Sequence, residues 1–172
     1  AEETGFDGRL IEKDYFCTVL LQYLTAARCG LVLKGGTCLA KVHVGFYRLS
    51  EGLDFWIPTP AAVSRAGRSR RAVGAKAAVS GIGEGLAGFR LITALTGARD
   101  SSQYVALVGY PSLVSRREES IRIEVGLREP LLTPEISGEA RPLLRAPVTG
   151  SPLLPVRRVP CLSRPEAMAE KL

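Results

Sequence analysis

The residues best suited to chemistry form three groups along the chain. Gly35 and Gly36 follow an apolar run, Asp54 lies among strand-forming residues, and Glu124 has apolar neighbours on both sides. Glycines after a strand let the backbone approach phosphate oxygens, and a helix that follows points its amides toward them. Carboxylates on neighbouring strands can hold divalent ions against such a phosphate. The combination predicts phosphoryl or nucleotidyl transfer.

The acidic part of this site is incomplete in the sequence. Residues two apart on a strand face the same way, so a metal-binding partner of Asp54 is expected at position 52, which is Gly52. Glu51 would point to the opposite face of a regular strand unless a bulge turned it inward. Losing one ligand worth roughly 3 to 5 kcal/mol would slow transfer by about two to four orders of magnitude. We therefore expect a weakened or inactive metal site.

The elements that must position these residues can be read from apolar spacing. Residues 10–27 have the helical spacing of an amphipathic helix. A strand, glycine turn and helix are predicted over 31–44, and a second strand over 53–57. Residues 61–80 are rich in alanine and arginine, which predicts a helix with a basic face. That face is either simply solvated or a contact surface for RNA.

The second half of the chain has the pattern of an antiparallel meander. Strand-like runs cover residues 89–95, 103–110 and 120–127, separated by polar segments. The proline-rich stretch 130–160 predicts loops with at most short strands, and a last helix is expected to begin near Arg164. The sequence thus predicts an α+β domain with a mixed or antiparallel sheet flanked by helices.

Composition limits the class of protein. Of 172 residues, 46% are hydrophobic and 23% are charged, which is typical of a folded chain and supports one compact domain over residues 1–172. No apolar run approaches the roughly 20 residues of a membrane helix, and the acidic start lacks the layout of a signal peptide. We therefore expect a cytoplasmic protein without membrane contact. The net charge of +6 suits a phosphate-bearing partner, although charge also serves solubility.

The cysteines do not indicate a metal site in the sequence. Cys17, Cys29, Cys38 and Cys161 form no CxxC pair, and His43 is the single histidine. Structural zinc sites usually draw their ligands from such closely spaced pairs. We therefore expect buried, reduced thiols and a structural role for His43.

The ordered motifs resemble one known family. The segments LVLKGGTCLAKV (31–42) and RLSEGLDF (48–55) resemble the Lys-Gly-Gly-Thr-x-Leu and Arg-x-Ser-Glu-Asp-x-Asp signature of the AbiEii/AbiGii toxins, which are nucleotidyltransferases of the polymerase-β type. The likeness extends through LIEKDYF (10–16), IRIEVGLREP (121–130) and VPCLSRPEAMAEKL (159–172). It therefore covers nearly the whole chain and implies a polymerase-β-like fold.

The resemblance also implies roles for individual residues. It assigns Asp54 and Glu124 to the metal, with Gly52 at the expected first aspartate, and Mg²⁺ or Mn²⁺ as the cofactor. The residues expected around the nucleotide are Gly35, Gly36, Thr37, Ser50, Arg48 and Lys34. Lys34 is also a candidate catalytic residue. Glu124 has an alternative explanation, because an ion pair with Arg122 or Arg128 would equally account for an acid at that position.

The partners implied by the resemblance are a nucleoside triphosphate, an RNA acceptor such as tRNA, and a cognate antitoxin protein of a bacterial toxin-antitoxin or phage-defence pair. Family members usually continue beyond the last helix of this chain into a helical region, so residues 1–172 are expected to form the catalytic domain without that region. Two other functions remain open. One is a non-catalytic nucleotide- or RNA-binding module, which Gly52 favours, and the other is a nucleotidyltransferase that modifies a small molecule.

Overall fold

The structure, a computed structural model, describes residues 5–46, 48–49, 51–127 and 130–170. Its helices are α1 (Gly8–Ala26), α2 (Gly35–Cys38), α3 (Arg65–Arg71), α4 (Val73–Ser80), α5 (Ile82–Gly85) and α6 (Arg164–Ala169). A π-helical segment, Leu39–His43, continues α2. The strands are β1 (Val32–Lys34), β2 (Gly52–Trp56), β3 (Arg90–Ala98), β4 (Gln103–Pro111), β5 (Glu118–Gly126), β6 (Ile136–Ala140) and β7 (Arg157–Cys161).

All seven strands belong to one mixed sheet in the order β3-β4-β5-β2-β1-β7-β6. Strands β3, β4 and β5 form the antiparallel meander that the sequence predicts. Strand β2 lies parallel to β5 and antiparallel to β1, and β1 is parallel to β7. The mixed α+β class is therefore confirmed.

The two faces of the central strands differ in burial. On β2, Leu53 and Phe55 are buried, whereas Gly52, Asp54 and Trp56 are half-buried. The buried face joins the hydrophobic core, to which α1 contributes Leu20, Leu21 and Leu24, and β5 contributes Ile121, Ile123 and Val125. Alternation with period two thus places the polar residues of the central strands together on the other face.

The first helix is confirmed and has a defined start. Asp7 caps it by accepting a hydrogen bond from the Arg9 amide at 2.9 Å, so that one of the unpaired amides of the first turn is satisfied. None of the helices in the described part of the chain has the length and apolarity needed to cross a membrane.

Two sequence expectations need correction in detail, and that for residues 130–160 agrees with the structure. The basic helix predicted over 61–80 is two helices, α3 and α4, and the glycine-rich stretch after it contains the short α5. The stretch 130–160 provides β6 and part of β7, which extend the main sheet beyond β1. Both strands are five residues long, which agrees with the expectation of loops with at most short strands. The helix expected over residues 38–44 is largely π-helical.

Candidate nucleotide-binding site

The predicted chemical residues meet in one row across the sheet. Asp54 on β2 is the register partner of Glu124 on β5 and of Lys34 on β1. Register partners on adjacent strands point their side chains to the same face, here the half-buried one. The fold therefore brings together three residues that lie up to 90 positions apart in the chain. Their catalytic and metal-binding roles remain predictions.

The glycine turn reaches the same row of side chains. Gly35 has a φ of +68°, in the left-handed region, and a Cβ there would lie 2.6 Å from Oδ2 of Asp54. Glycine is thus required twice, for its backbone conformation and for the close approach of the turn to the carboxylate. The first turn of α2 consequently begins directly beside Asp54.

Arg48 lies against the second glycine of the turn. A Cβ at Gly36 would overlap with the guanidinium of Arg48, so the absence of a side chain creates the space in which this cation rests. Arg48 is otherwise exposed. The arrangement places a cation next to backbone amides at the start of α2, and a role of Arg48 in phosphate binding remains a prediction.

Thr37 holds the glycine turn to β2. Its buried hydroxyl donates a 2.8 Å hydrogen bond to the carbonyl oxygen of Gly52. This contact links the turn to the start of the strand that carries Asp54. As placed, the side chain of Thr37 positions the turn, while a contact with phosphate remains a prediction.

Lys34 points along the row toward the C-terminal helix. Its Nζ forms an ion pair with Oε1 of Glu170 at 3.0 Å and lies 5.0 Å from the ring centroid of Trp56. The lysine side chain is about one-fifth exposed, so it remains accessible to a ligand on this face. Ser50, which was predicted to contact phosphate, lies outside the described residues.

Position 52 carries no side chain that could bind a metal, and the neighbouring strand lies close to it. A Cβ built on Gly52 would lie 2.8 Å from the carbonyl oxygen of its β5 register partner Arg122, so a side chain requires the strands to shift. Glu51 does not replace the missing acid, because its carboxylate pairs with Lys13 of α1 at 3.1 Å. This agrees with the expectation that Glu51 faces away from Asp54.

Glu124 is engaged by two neighbours. Arg122, two residues earlier on β5, pairs with Oε2 at 2.6 Å, and Gln103 of β4 donates a hydrogen bond to Oε1. The ion pair with Arg122 was the alternative explanation of this acid. Arg122 is about half exposed, which leaves the pair open to solvent and to a competing ligand.

The donor set is therefore incomplete for a two-metal centre. Such a centre needs two or three carboxylates directed at the ions. Glycine occupies one of the expected positions, and Glu124 is in an ion pair with Arg122. Lys34 is the register partner of Asp54, Arg122 pairs with Glu124, and Arg48 lies against the glycine turn, so cations outnumber the two remaining acids and suit a phosphate group better than a pair of divalent ions.

Sequence reasoning missed a buried ion pair behind the turn. Lys41, in the π-helical segment, pairs with Asp14 of α1 at 2.7 Å and donates a 2.8 Å hydrogen bond to Thr18 Oγ1. Both charged side chains are at most 4% exposed. The signal lay in two polar residues on otherwise apolar helix faces, which helical periodicity alone does not connect.

A comparison with protein families identifies the family of this chain. A family model described as the nucleotidyl transferase AbiEii toxin of type IV toxin-antitoxin systems matches residues 19–172. The chain belongs to the AbiEii family. The matched range contains the glycine turn, Asp54 and Glu124, whose roles remain predictions. No curated protein matches the chain.

Two solved structures share the fold of this AbiEii chain. One is JHP933 from Helicobacter pylori, at 18% identity and a TM-score of 0.55, with 93% of this chain and 56% of that one covered. The other is an H. pylori protein proposed to be a nucleotidyltransferase, at 18% identity, a TM-score of 0.53, and coverage of 93% and 58%. The chain thus spans little more than half the length of either structure.

Proposed function

We propose that this AbiEii chain binds a nucleoside triphosphate and is built for metal-dependent transfer of a nucleotide to an RNA acceptor such as tRNA. The proposal includes a role as the toxin of a bacterial toxin-antitoxin or phage-defence pair, opposed by an antitoxin protein. It also includes impaired transfer, because Gly52 supplies no carboxylate. The observation that carries it is the approach of Gly35 to Asp54, which joins a phosphate-binding turn to an acid on the next strand.

Different residues of the chain would bind the phosphates and the metal ion. The amides at the start of α2 and the guanidinium of Arg48 would hold phosphate oxygens, while Thr37 keeps the turn against β2. Asp54 and Glu124 are the residues that would hold Mg²⁺ or Mn²⁺, whose chemistry is to neutralise phosphate charge during transfer. Lys34 is positioned to add a further positive charge on the same face.

The proposed RNA acceptor is supported by the basic surface of α3. Arg65, Arg70 and Arg71 are exposed, and no residue of α3 is buried. Arg68 differs, since its guanidinium donates to the carbonyl oxygens of Asp100 and Val63. Exposed arginines on one short helix suit a phosphate backbone, in a chain of net charge +6.

A second candidate function is supported by the Arg122–Glu124 ion pair. With Glu124 neutralised and position 52 empty, the site retains cations for phosphate but few ligands for metal. In this alternative the chain is a non-catalytic nucleotide- or RNA-binding module. It would bind a triphosphate with equal affinity in the presence and absence of Mg²⁺.

The deciding experiment compares transfer from labelled triphosphates to total RNA by the unmodified chain, Gly52→Asp and Gly52→Ala. Both variants introduce the Cβ that approaches the Arg122 carbonyl, but only aspartate adds a ligand. We expect Gly52→Asp to increase Mg²⁺-dependent transfer by about 100-fold or more and Gly52→Ala to leave it unchanged. Circular dichroism of both variants checks that the secondary structure of the chain is retained.

Triphosphate binding, measured by calorimetry on the same three proteins, separates the candidates. Binding by all three with transfer by Gly52→Asp alone supports a disabled transferase. Binding without transfer by any variant, and without Mg²⁺ dependence, supports the binding module. Transfer to a small hydroxylated acceptor in place of RNA would instead support the small-molecule enzyme, so a panel of such acceptors is included.

A further inference from the structure

The folded chain brings together three potential metal ligands that the sequence keeps apart. A ring nitrogen of His43 and the sulfurs of Cys38 and Cys161 all lie within 4.8 Å of one another. All four cysteines are free, and both sulfur ligands belong to fully buried residues. The group shares no residue with the row formed by Lys34, Asp54 and Glu124.

The π-helical segment is what makes the cluster possible. Cys38 and His43 are five residues apart, and an α-helix would turn their side chains to different sides. The segment Leu39–His43 instead winds with an i to i+5 hydrogen bond, from the Val44 amide to the Leu39 carbonyl at 2.9 Å. Such winding is rare and occurs frequently at functional sites. Here it brings a histidine ring back over the cysteine that precedes the segment.

One ring nitrogen of His43 is bonded to the backbone, which leaves the other with its lone pair. Its Nε2 lies 2.9 Å from the carbonyl oxygen of Leu162, and because a carbonyl can only accept, Nε2 carries the hydrogen. The lone pair of Nδ1 is therefore the one available to a metal. A backbone carbonyl that fixes the tautomer in this way is the usual second partner of a metal-binding histidine.

The two sulfurs lie close together in a buried, tightly packed setting. A Cβ at Gly138 would lie 2.8 Å from the Cys161 sulfur, so glycine is needed for the sulfur to fit.

We propose that Cys38, His43 and Cys161 form a zinc site that ties β7 to the helix following the glycine turn. Tetrahedral zinc holds sulfur at about 2.3 Å and nitrogen at about 2.0–2.1 Å, which places sulfurs about 3.8 Å apart. The cluster therefore needs to contract by about 1 Å at most from its present spacing. Two thiolates neutralise the ion, and an imidazole suits zinc as the third ligand.

The fourth coordination position is left to water or an anion. His43 lies on the wall of a cavity of about 640 Å³, which Arg141, Arg145 and Arg164 also line. The cavity provides an entry path to the ligand that is least buried, as a fillable metal site requires. Its arginines favour a negatively charged or neutral fourth ligand.

The test uses the whole chain, stripped with a chelator under reducing conditions and titrated with Zn²⁺ against a chromophoric competitor. We expect one ion per chain, and Co²⁺ in its place should give thiolate-to-metal charge-transfer absorption. Cys161→Ser and His43→Ala should each weaken binding by at least about tenfold, since even second-shell losses cost that much. Because His43 is only half-buried, its variant should stay folded even if Cys161→Ser does not.

Two controls identify where the ion binds. Cys29→Ser removes a half-buried thiol outside the cluster, and Asp54→Asn removes a carboxylate of the nucleotide site; both should keep full zinc affinity and the Co²⁺ absorption. The proposal fails if the unmodified chain binds no stoichiometric zinc, if His43→Ala binds as tightly as the unmodified chain, or if either control abolishes binding. Formation of a Cys38–Cys161 disulfide in place of metal binding would also overturn it.

Discussion

Two ion pairs of this chain have nearly the same length and opposite surroundings. Asp14 and Lys41 meet at 2.7 Å with side-chain exposures of 4% and 1%, whereas Glu124 and Arg122 meet at 2.6 Å with exposures of 22% and 52%. Water screens the second pair and not the first. The buried pair therefore fixes structure behind the glycine turn, and the exposed pair can be exchanged for a ligand.

The difference separates a rigid contact between α1 and the π-helical segment from an exposed contact on the sheet. Lys41 also bonds Thr18, so its ammonium has partners on α1 that no ligand needs to supply. Gln103 also donates a hydrogen bond to the Glu124 carboxylate, and this contact does not depend on Arg122. A phosphate that attracts Arg122 would thereby release the Glu124 carboxylate without unfolding any strand.

The largest predicted effect comes from breaking the buried pair. Asp14→Ala leaves the Lys41 ammonium buried without a counter-charge, and we expect the free energy of unfolding to fall by about 3 to 5 kcal/mol. Urea denaturation followed by circular dichroism measures it. Lys13→Ala is the matched control, because its partner Glu51 is exposed, and it should cost less than about 1 kcal/mol. Equal losses in the two variants would remove the contrast between the regions.

The glycine turn should show an intermediate effect. Gly35→Ala combines a left-handed backbone with a Cβ 2.6 Å from Asp54, and we expect a loss of about 1 to 3 kcal/mol together with weaker triphosphate binding. Gly30→Ala isolates the backbone contribution, since Gly30 has a φ of +76° and no atom within 4 Å of the added Cβ. If the two variants bind a triphosphate equally well, the close approach of the turn to Asp54 has no role in binding.

Breaking the exposed pair should change stability least among these substitutions. Arg122→Gln is expected to alter the free energy of unfolding by less than about 1 kcal/mol, since half of the arginine side chain is already in water. The same variant should bind Mg²⁺ more tightly, because Glu124 loses its competing cation. A stability loss comparable with that of Asp14→Ala would show that Arg122 is structural.

The smallest effect concerns pH. Burial alone would raise the pKa of Glu166, but hydrogen bonds from the Thr133 hydroxyl and from the amides of Leu132 and Thr133 outweigh it, and the pKa is lowered. A folded-state pKa below the unfolded value of about 4.3 stabilises the protein above that pH, and the contribution disappears as pH falls. Glu166→Gln should therefore flatten the acid side of the stability profile, measured by thermal denaturation between pH 3 and 6. An unchanged slope would contradict this account.

Much of the fold could be predicted from local pattern. Helical spacing predicted α1, runs of strand-forming residues predicted β2 and the meander, and α6 begins at Arg164, where it was expected. These features depend on neighbours within a few residues, so periodicity and capping are sufficient. The positions of the short β6 and β7 could not be predicted, because strands of five residues depend on partners elsewhere in the chain.

The candidate site, like the fold, could be predicted only in part from the sequence. The sequence by itself determined which residues could act, namely the glycine pair, Asp54 and Glu124, and that position 52 lacks an acid. Only the tertiary structure decided that Arg122 pairs with Glu124, that Arg48 rests on Gly36, and that Lys41 is neutralised by Asp14. It also gathered Cys38, His43 and Cys161 into one cluster. The reason is physical, because strand register and the winding of the π-helical segment set these distances, and both depend on packing between segments far apart in the chain.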